Sequence, residues 1–395
     1  MPNIRPQERI IPDVRCRQSL CINSRGACRL QAFVVPWVVL WLEFVLIGYG
    51  FTRWELNSAY ASTVVEATIR ASGLEGNLLN DPINQRAMVY LPPSYRTHLS
   101  RHYPVVYLLH AFAASVKKTW IEGVDVQKTM DRALVEGLTQ EMILVMPNAS
   151  NAYQGSFYVN SETTGQWEDY IRNDLVSYVD RHFRTLSQPS SRGIAGHSMG
   201  GFGAIRMGMK HADTFSAVYP ISACCLAMVA DLGIDSPGWR RTLKLESREA
   251  LENLLKQGDL ESFYSAAQIA LAAAFSPNPT RPPFFADFPW RMENGQLLRN
   301  EPAFTKWQNH FPINMVERYR KNLTKLRGLQ IEYGVNDQFS HIRVATPLFS
   351  QMLTKHHVQH ILRAHDGDHG NQVAENMRRL VLPFFSQTLQ FEAQR

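Results

Sequence analysis

Ser198, Asp337 and His369 are three side chains of this 395-residue chain whose types and spacing fit nucleophilic acyl transfer. Ser198 is the centre of Gly196-His197-Ser198-Met199-Gly200. The short apolar run Gly193-Ile194-Ala195 precedes it, and a helix-compatible segment, Phe202 to Lys210, follows. Gly-x-Ser-x-Gly between a strand and a helix is the pattern of a nucleophile elbow. The serine sits on a sharp, strained turn, and a Cβ at either flanking glycine would crowd it. A serine hydroxyl needs an imidazole to take its proton and a carboxylate to fix the tautomer of that imidazole. Both residue types follow later, each after an apolar run. Leu329 to Gly334 ends in Val335-Asn336-Asp337, and Gln359 to Ala364 leads into His365-Asp366-Gly367-Asp368-His369-Gly370-Asn371. Asp337 is the expected carboxylate and His369 the expected base, because Gly367 and Gly370 bracket a loop able to reach back. His365, still at the strand end, is its rival.

The same chemistry needs two backbone amides aimed at a developing oxyanion. The Met199 amide, directly after the nucleophile, is one. The other is expected from His110-Ala111-Phe112-Ala113-Ala114, with the Phe112 amide the best placed. His110, His197 and Trp167 are candidate substrate contacts, with packing as the competing reading for Trp167. Glu168 is expected to act electrostatically at a helix end. Cys224-Cys225 read as small buried residues near the pocket. The aromatics Phe284, Phe285, Phe288 and Trp290 either line an acyl pocket or hold a cap in place. No metal-ligand spacing occurs, and the chemistry requires neither metal nor organic cofactor.

These residues must be carried by a sheet. Val64 to Ala71, Ala87 to Leu91, Pro104 to His110, Glu141 to Pro147, Arg192 to Gly196 and Ala217 to Ser222 read as strands. Glu168 to Phe183 has helical periodicity. The regular pattern stops over about 226–325 and resumes with strand Leu329 to Gly334, helix His341 to His356, strand Gln359 to Ala364 and helix Asn371 to Leu389. Strands alternating with helices predict an α/β fold, a mostly parallel central sheet with helices on both faces. The interruption predicts a helical cap insertion, and the order Ser, Asp, His is that of an α/β-hydrolase.

The run Tyr107-Leu108-Leu109-His110-Ala111-Phe112 resembles the Leu-Leu-His-Gly-Phe segment of the esterase family of α/β-hydrolases. That family includes esterase D (S-formylglutathione hydrolase), feruloyl-type esterases and the mycobacterial mycolyltransferases. Gly165-Gln166-Trp167-Glu168-Asp169-Tyr170-Ile171, then Asp174-Leu175, is similar to its helix before the nucleophile strand. Gly196 to Gly201 is similar to its elbow, and Asp368-His369-Gly370 to its histidine loop. The likeness covers roughly residues 63–225 and 328–390. Ala111 stands where the family usually has glycine, and its methyl could reshape the oxyanion loop. The resemblance implies a serine esterase or an acyltransferase and names no acyl group.

Composition agrees with a globular enzyme: 45% hydrophobic and 19% charged residues, with a net charge of +6. Half of that excess lies in residues 1–61, with seven arginines against four acidic residues. No basic stripe interleaved with aromatics occurs, so nucleic acid is not an expected partner. The five cysteines support neither a disulfide scaffold nor a zinc site. Ala32 to Tyr49 is an apolar run behind a cationic segment, and Ala59-Tyr60-Ala61 follows it. Residues 1–61 therefore read as a targeting region, a signal peptide or a membrane anchor, and residues 62–395 as the hydrolase domain. An exported or membrane-anchored protein acting on a small-molecule ester is expected. Acyl transfer to a sugar or glycerol alcohol and a catalytically silent binding module are the alternatives. Oligomeric state has no signature in the sequence.

Overall fold

Runs of apolar residues too short for a helix, buried at every position, become inner strands covered on both faces. Val105–Leu109, Ile143–Pro147 and Ala217–Ile221 are such runs. The computed structural model describes residues 61–392. Its main sheet contains β1 (Thr63–Arg70), β2 (Asn84–Leu91), β3 (Val105–Leu109) and β4 (Ile143–Pro147). A short separate pair, β5 (Asn160–Ser161) and β6 (Gly165–Gln166), follows. The main sheet continues with β7 (Arg192–His197) and β8 (Ala217–Ile221). After a hairpin, β9 (Trp290–Glu293) and β10 (Gln296–Arg299), it closes with β11 (Gly328–Gly334) and β12 (Ile361–His365).

The strand order is β1-β2-β4-β3-β7-β8-β11-β12. β2 runs antiparallel to both β1 and β4, and every other neighbouring pair is parallel. Alternate side chains feed two cores. Val105, Tyr107 and Leu109 join one, while Val106 and Leu108 join the other. The register aligns Leu109 with Gly196, His197 with Ile221 and Gly334 with His365. The chain thus leaves β3, β7, β11 and β12 along one edge, where Phe112, Ser198, Asp337 and His369 follow.

The helices include α1 (Val126–Val135), α2 (Val176–His182), α3 (Met199–Lys210), α4 (Trp239–Thr242), α5 (Arg248–Leu255), α6 (Leu260–Phe275), α7 (Glu301–Gln308), α8 (Pro312–Leu323), α9 (Ser340–Lys355) and α10 (Leu382–Thr388), with short turns at Trp167–Asp169 and Val373–Asn376. α1 and α10 cover one face, with Met130 and Phe385 in their core. α3 lies on the other, with Phe202 and Ile205 buried. Asp259 caps α6, accepting the Ser262 amide at 2.9 Å.

Within the span 226–325, expected as a cap, one helix packs with the layer flanking the sheet. α8 falls inside those bounds, yet it packs against α3 and α9 in the layer that flanks the sheet. Its Met315 and Val316 are buried there, and Asn322 Nδ2 donates to the Met209 carbonyl at 2.9 Å. The apolar stripe of α8 has the sheet-side helices to cover it. The segment carrying α4 to α7 and the hairpin β9–β10 is what lies between the two layers' regular elements. The expectations for residues 1–61, including the apolar run 32–49, fall outside the described residues except Ala61. Among the described residues no helix is long and apolar enough to cross a membrane.

Candidate active site

β7 ends at His197 and α3 begins at Met199, so a single residue makes the turn. Ser198 holds φ 58° and ψ −114°, a conformation that costs a non-glycine residue on the order of 1–3 kcal/mol. Its backbone is pinned on both sides. The Ser198 amide donates to Ile221 O at 2.9 Å, and its carbonyl accepts the Phe202 amide at 3.0 Å and the Cys224 amide at 3.2 Å. The flanking glycines are required by close approach. A Cβ on Gly196 would lie 2.3 Å from the Gly200 carbonyl carbon, and one on Gly200 would lie 2.1 Å from Leu109 O. Ser198 lines a narrow cleft walled mainly by apolar and aromatic side chains.

Asp337 and His369 are brought together from the ends of β11 and β12. His369 Nδ1 lies 2.7 Å from Asp337 Oδ2, and Asp337 Oδ1 accepts the Phe339 amide at 2.9 Å. The Asp337 side chain is fully buried. An ionised carboxylate only accepts, so Nδ1 carries the proton and Nε2 is left as the base. The histidine loop is held from several sides. Asp368 Oδ1 accepts the Gly370 and Asn371 amides at 2.8 Å. His197 Nε2 meets the His369 carbonyl at 2.7 Å, with the two rings 4.6 Å apart. The Phe339 ring stands edge-on to His369 at 4.8 Å. The rival His365 is turned elsewhere: its Nδ1 accepts the Gly367 amide, and its Nε2 is 3.7 Å from Glu332.

The side chains of the two residues expected to give oxyanion donors both close on Gly155. A Cβ on Gly155 would lie 2.5 Å from Met199 Sδ and 2.7 Å from Phe112 Cδ2. Neither the Phe112 nor the Met199 amide donates to a carbonyl in the described turns and loops. The residue of this loop in the left-handed region is Ala113, at φ 52°, whose amide is spent on Gln154 O. Ala111 keeps an ordinary φ, so its methyl adds no backbone strain.

Three expected substrate contacts are not on the cleft wall. His110 is fully buried behind it. Its Nε2 accepts the Ala149 amide at 2.9 Å, and burial pushes its pKa down to about 4. Trp167 is fully buried, with its indole N–H on Thr164 O at 2.8 Å and its ring edge-on to Tyr170. His197 braces the His369 loop, and burial and the neighbouring His369 push its pKa down to about 3. Glu168 sits at the C-terminus of α3, against Lys210, His211 and Arg206. Burial opposes its ionisation, but His211, Arg206 and Lys210 outweigh that and hold it at about 2. The cleft aromatics are Phe112, Phe157, Phe263 and Phe339. Phe284 packs on Tyr153, and Trp290 on Phe304, within the insertion.

Two groups in the cleft wall carry no sequence motif. Cys224 and Cys225 are both free thiols beside Ser198, with sulfurs 2.8 Å apart. His341 lines the cleft with its Nδ1 on Asp231, a residue 110 positions earlier. Only the fold could reveal that pairing. Among the described residues no group of three or more His, Cys, Asp or Glu is placed to hold a metal ion.

Comparison with known proteins agrees with this architecture. The family described as "Putative esterase" matches residues 79–369. An esterase of Mycobacterium tuberculosis is 33% identical over 138 residues, 34% of this chain and 28% of that relative's length. A ferulic acid esterase structure superposes with a TM-score of 0.57 at 21% identity, over 84% of this chain and 100% of that one. The S-formylglutathione hydrolase of Staphylococcus aureus gives 0.52 at 16% identity, over 82% and 99%. These structures share the fold. The family match, spanning both the elbow and the histidine loop, shows that the chain belongs to the esterase family of α/β-hydrolases.

Proposed function

We propose that this protein is a serine hydrolase that cleaves carboxylic or thiol esters through an acyl-Ser198 intermediate. The observation that carries the reading is the Asp337–His369 pair, closed at 2.7 Å on the strand edge that also presents Ser198 on its strained turn. His369 Nε2 takes the Ser198 proton as Oγ attacks the ester carbonyl. The Met199 and Phe112 amides receive the oxyanion, and the positive end of α3 favours the same charge. His369 then delivers its proton to the leaving alcohol or thiol. Water, deprotonated by His369, attacks the acyl-enzyme and frees Ser198. Asp337 holds the Nδ1–H tautomer throughout and stabilises the imidazolium.

The relative from Mycobacterium tuberculosis, itself called an esterase, supports the reaction class. The apolar segment 32–49 behind its arginines supports delivery to a membrane or across it. Fractionation of cells expressing the full chain, with N-terminal sequencing of the recovered protein, tests that delivery.

The reaction is tested with p-nitrophenyl esters of graded acyl length on the full chain. A burst followed by turnover is expected. In Ser198→Ala the burst should vanish and kcat should fall by at least about 10⁴-fold. A variant that keeps its turnover would remove Ser198 from the mechanism.

A further inference from the structure

The cleft holds a second aspartate–histidine pair that the proposed mechanism does not use. Asp231, early in the insertion, ties down the start of α9. Its Oδ1 accepts the His341 amide and His341 Nδ1–H, both at 2.7 Å. Its Oδ2 accepts the Ser340 amide at 2.7 Å and the Tyr264 hydroxyl. Four donors converge on one carboxylate. Burial alone would raise its pKa, but the His341 and Tyr264 contacts outweigh that and hold it below the usual carboxylate range. Because this carboxylate only accepts, Nδ1 is the protonated nitrogen, and neutral His341 is left with a lone pair on Nε2. That Nε2 is buried and has no hydrogen-bond partner among the described residues. The ring itself is 5% exposed and lines the cleft together with Ser198.

The surrounding walls, Phe112, Phe157, Phe263 and Leu271, are apolar. The Phe339 ring packs against both imidazoles, with its centroid 4.8 Å from that of His369 and 6.1 Å from that of His341. An apolar cleft with one unpartnered acceptor, beside the same phenyl ring that packs on His369, fits an apolar group that carries one donor beyond the ester. We propose that His341 Nε2 is a hydroxyl-accepting subsite, and that the cleft takes esters whose acyl group is apolar along its length and carries a distal hydroxyl. The subsite rests on the serine-hydrolase reading above and adds the acyl class to it. Buried walls suit the acyl part, which stays on Ser198 after the first half-reaction, rather than the alcohol, which must diffuse away. A substrate without the hydroxyl leaves Nε2 desolvated and unpaired, and this is how such a site discriminates.

The test uses matched p-nitrophenyl esters on the full chain: hexanoate against 6-hydroxyhexanoate, and 3-phenylpropionate against 3-(4-hydroxyphenyl)propionate. In at least one pair the hydroxylated ester should show about a 10-fold higher kcat/KM. His341→Leu should bring that ratio to about 1, and His341→Gln, which keeps an acceptor, should restore part of it. A purely structural role for His341 would lower both esters together and leave the ratio unchanged, which overturns the subsite. Turnover of the plain esters with no hydroxyl preference in the unmutated protein also overturns it and leaves the hydrolase reading standing. No Ser198-dependent turnover of any ester removes both. Should His341→Leu fail to fold, the ratio in the unmutated protein and in His341→Gln decides.

Discussion

Backbone strain is concentrated around the cleft. Ser198 (φ 58°), Ser222 (φ 41°), Cys225 (φ 57°) and Ala113 (φ 52°), each within a few residues of a strand end, and Phe157 (φ 51°) in the loop after β4 all hold positive φ. Each costs of order 1 kcal/mol or more, and the packing around them keeps them there. Gly200 shows how little room remains. Gly200→Ala would set a methyl 2.1 Å from Leu109 O. It should lower stability by about 3 kcal/mol in urea unfolding and displace the Met199 amide, with kcat falling alongside. Asp337→Asn acts differently. It keeps the shape but presents the wrong tautomer of His369, so kcat should fall about 10⁴-fold while the melting temperature changes little. The paired thiols make a third prediction. Burial, the Cys224 hydrogen bond and the Cys224 charge push the Cys225 thiol well above its ordinary pKa, so iodoacetamide should react slowly. Phenylarsine oxide, which condenses with two thiols and releases water, should block ester turnover. A dithiol should reverse the block, and Cys225→Ala should resist it.

At the scale of elements, legibility followed distance along the chain. The elbow is fully written in adjacent residues, because strand, turn and helix are consecutive and the close contact of Gly196 with Gly200 is local. Asp337 and His369 were readable one step further off, since a parallel sheet delivers its loops to one edge whatever their separation. The cleft walls were not readable. Phe263 and Leu271 sit in a helix whose pattern is that of any buried helix, and Asp231 finds His341 only through tertiary packing. The hydrogen bonding of His110 and His197 was equally unreadable: one imidazole accepts the Ala149 amide and the other meets the His369 carbonyl, partners only the fold supplies. The anchor of α3 was visible only as a lone Glu168. In the fold it faces Arg206, Lys210 and the His211 ring at the C-terminal end of that helix. With its pKa held at about 2, its contribution is complete above about pH 4.5 and is lost as pH falls through 2. Glu168→Gln should therefore cost about 3 kcal/mol at neutral pH, read by urea unfolding, and much less near pH 2.

For the whole molecule, stability should depend on pH well before the carboxylates titrate. His110 is fully buried and held neutral down to about pH 4, whereas in the unfolded chain it protonates near 6.5. Below 6.5 the unfolded state binds the extra proton, so stability falls with pH and levels off near 4. The slope is up to about 1.4 kcal/mol per pH unit from this residue. His197 and His310, each lowered to about 3 and each partly exposed, extend the decline to lower pH. Urea midpoints measured from pH 7 to 4 should fall, and His110→Asn, which carries no titrating imidazole, should flatten the upper part of that curve.

The segment between β8 and β11 supplies Cys224, Cys225, Leu232, Phe263, Tyr264, Ala267 and Leu271 to the cleft, while Ser198, Asp337 and His369 all come from outside it. Much of the cleft wall is thus written in one stretch of the polypeptide, joined at two strand ends, while Phe112, Phe157, Phe339 and His341 reach the cleft from outside it. Such a layout lets that share of the wall be exchanged, by insertion, deletion or recombination, while Ser198, Asp337, His369 and the His341 side of the cleft stay in place. The same two junctions are natural splice points for a laboratory chimaera that keeps the chemistry and changes the clientele.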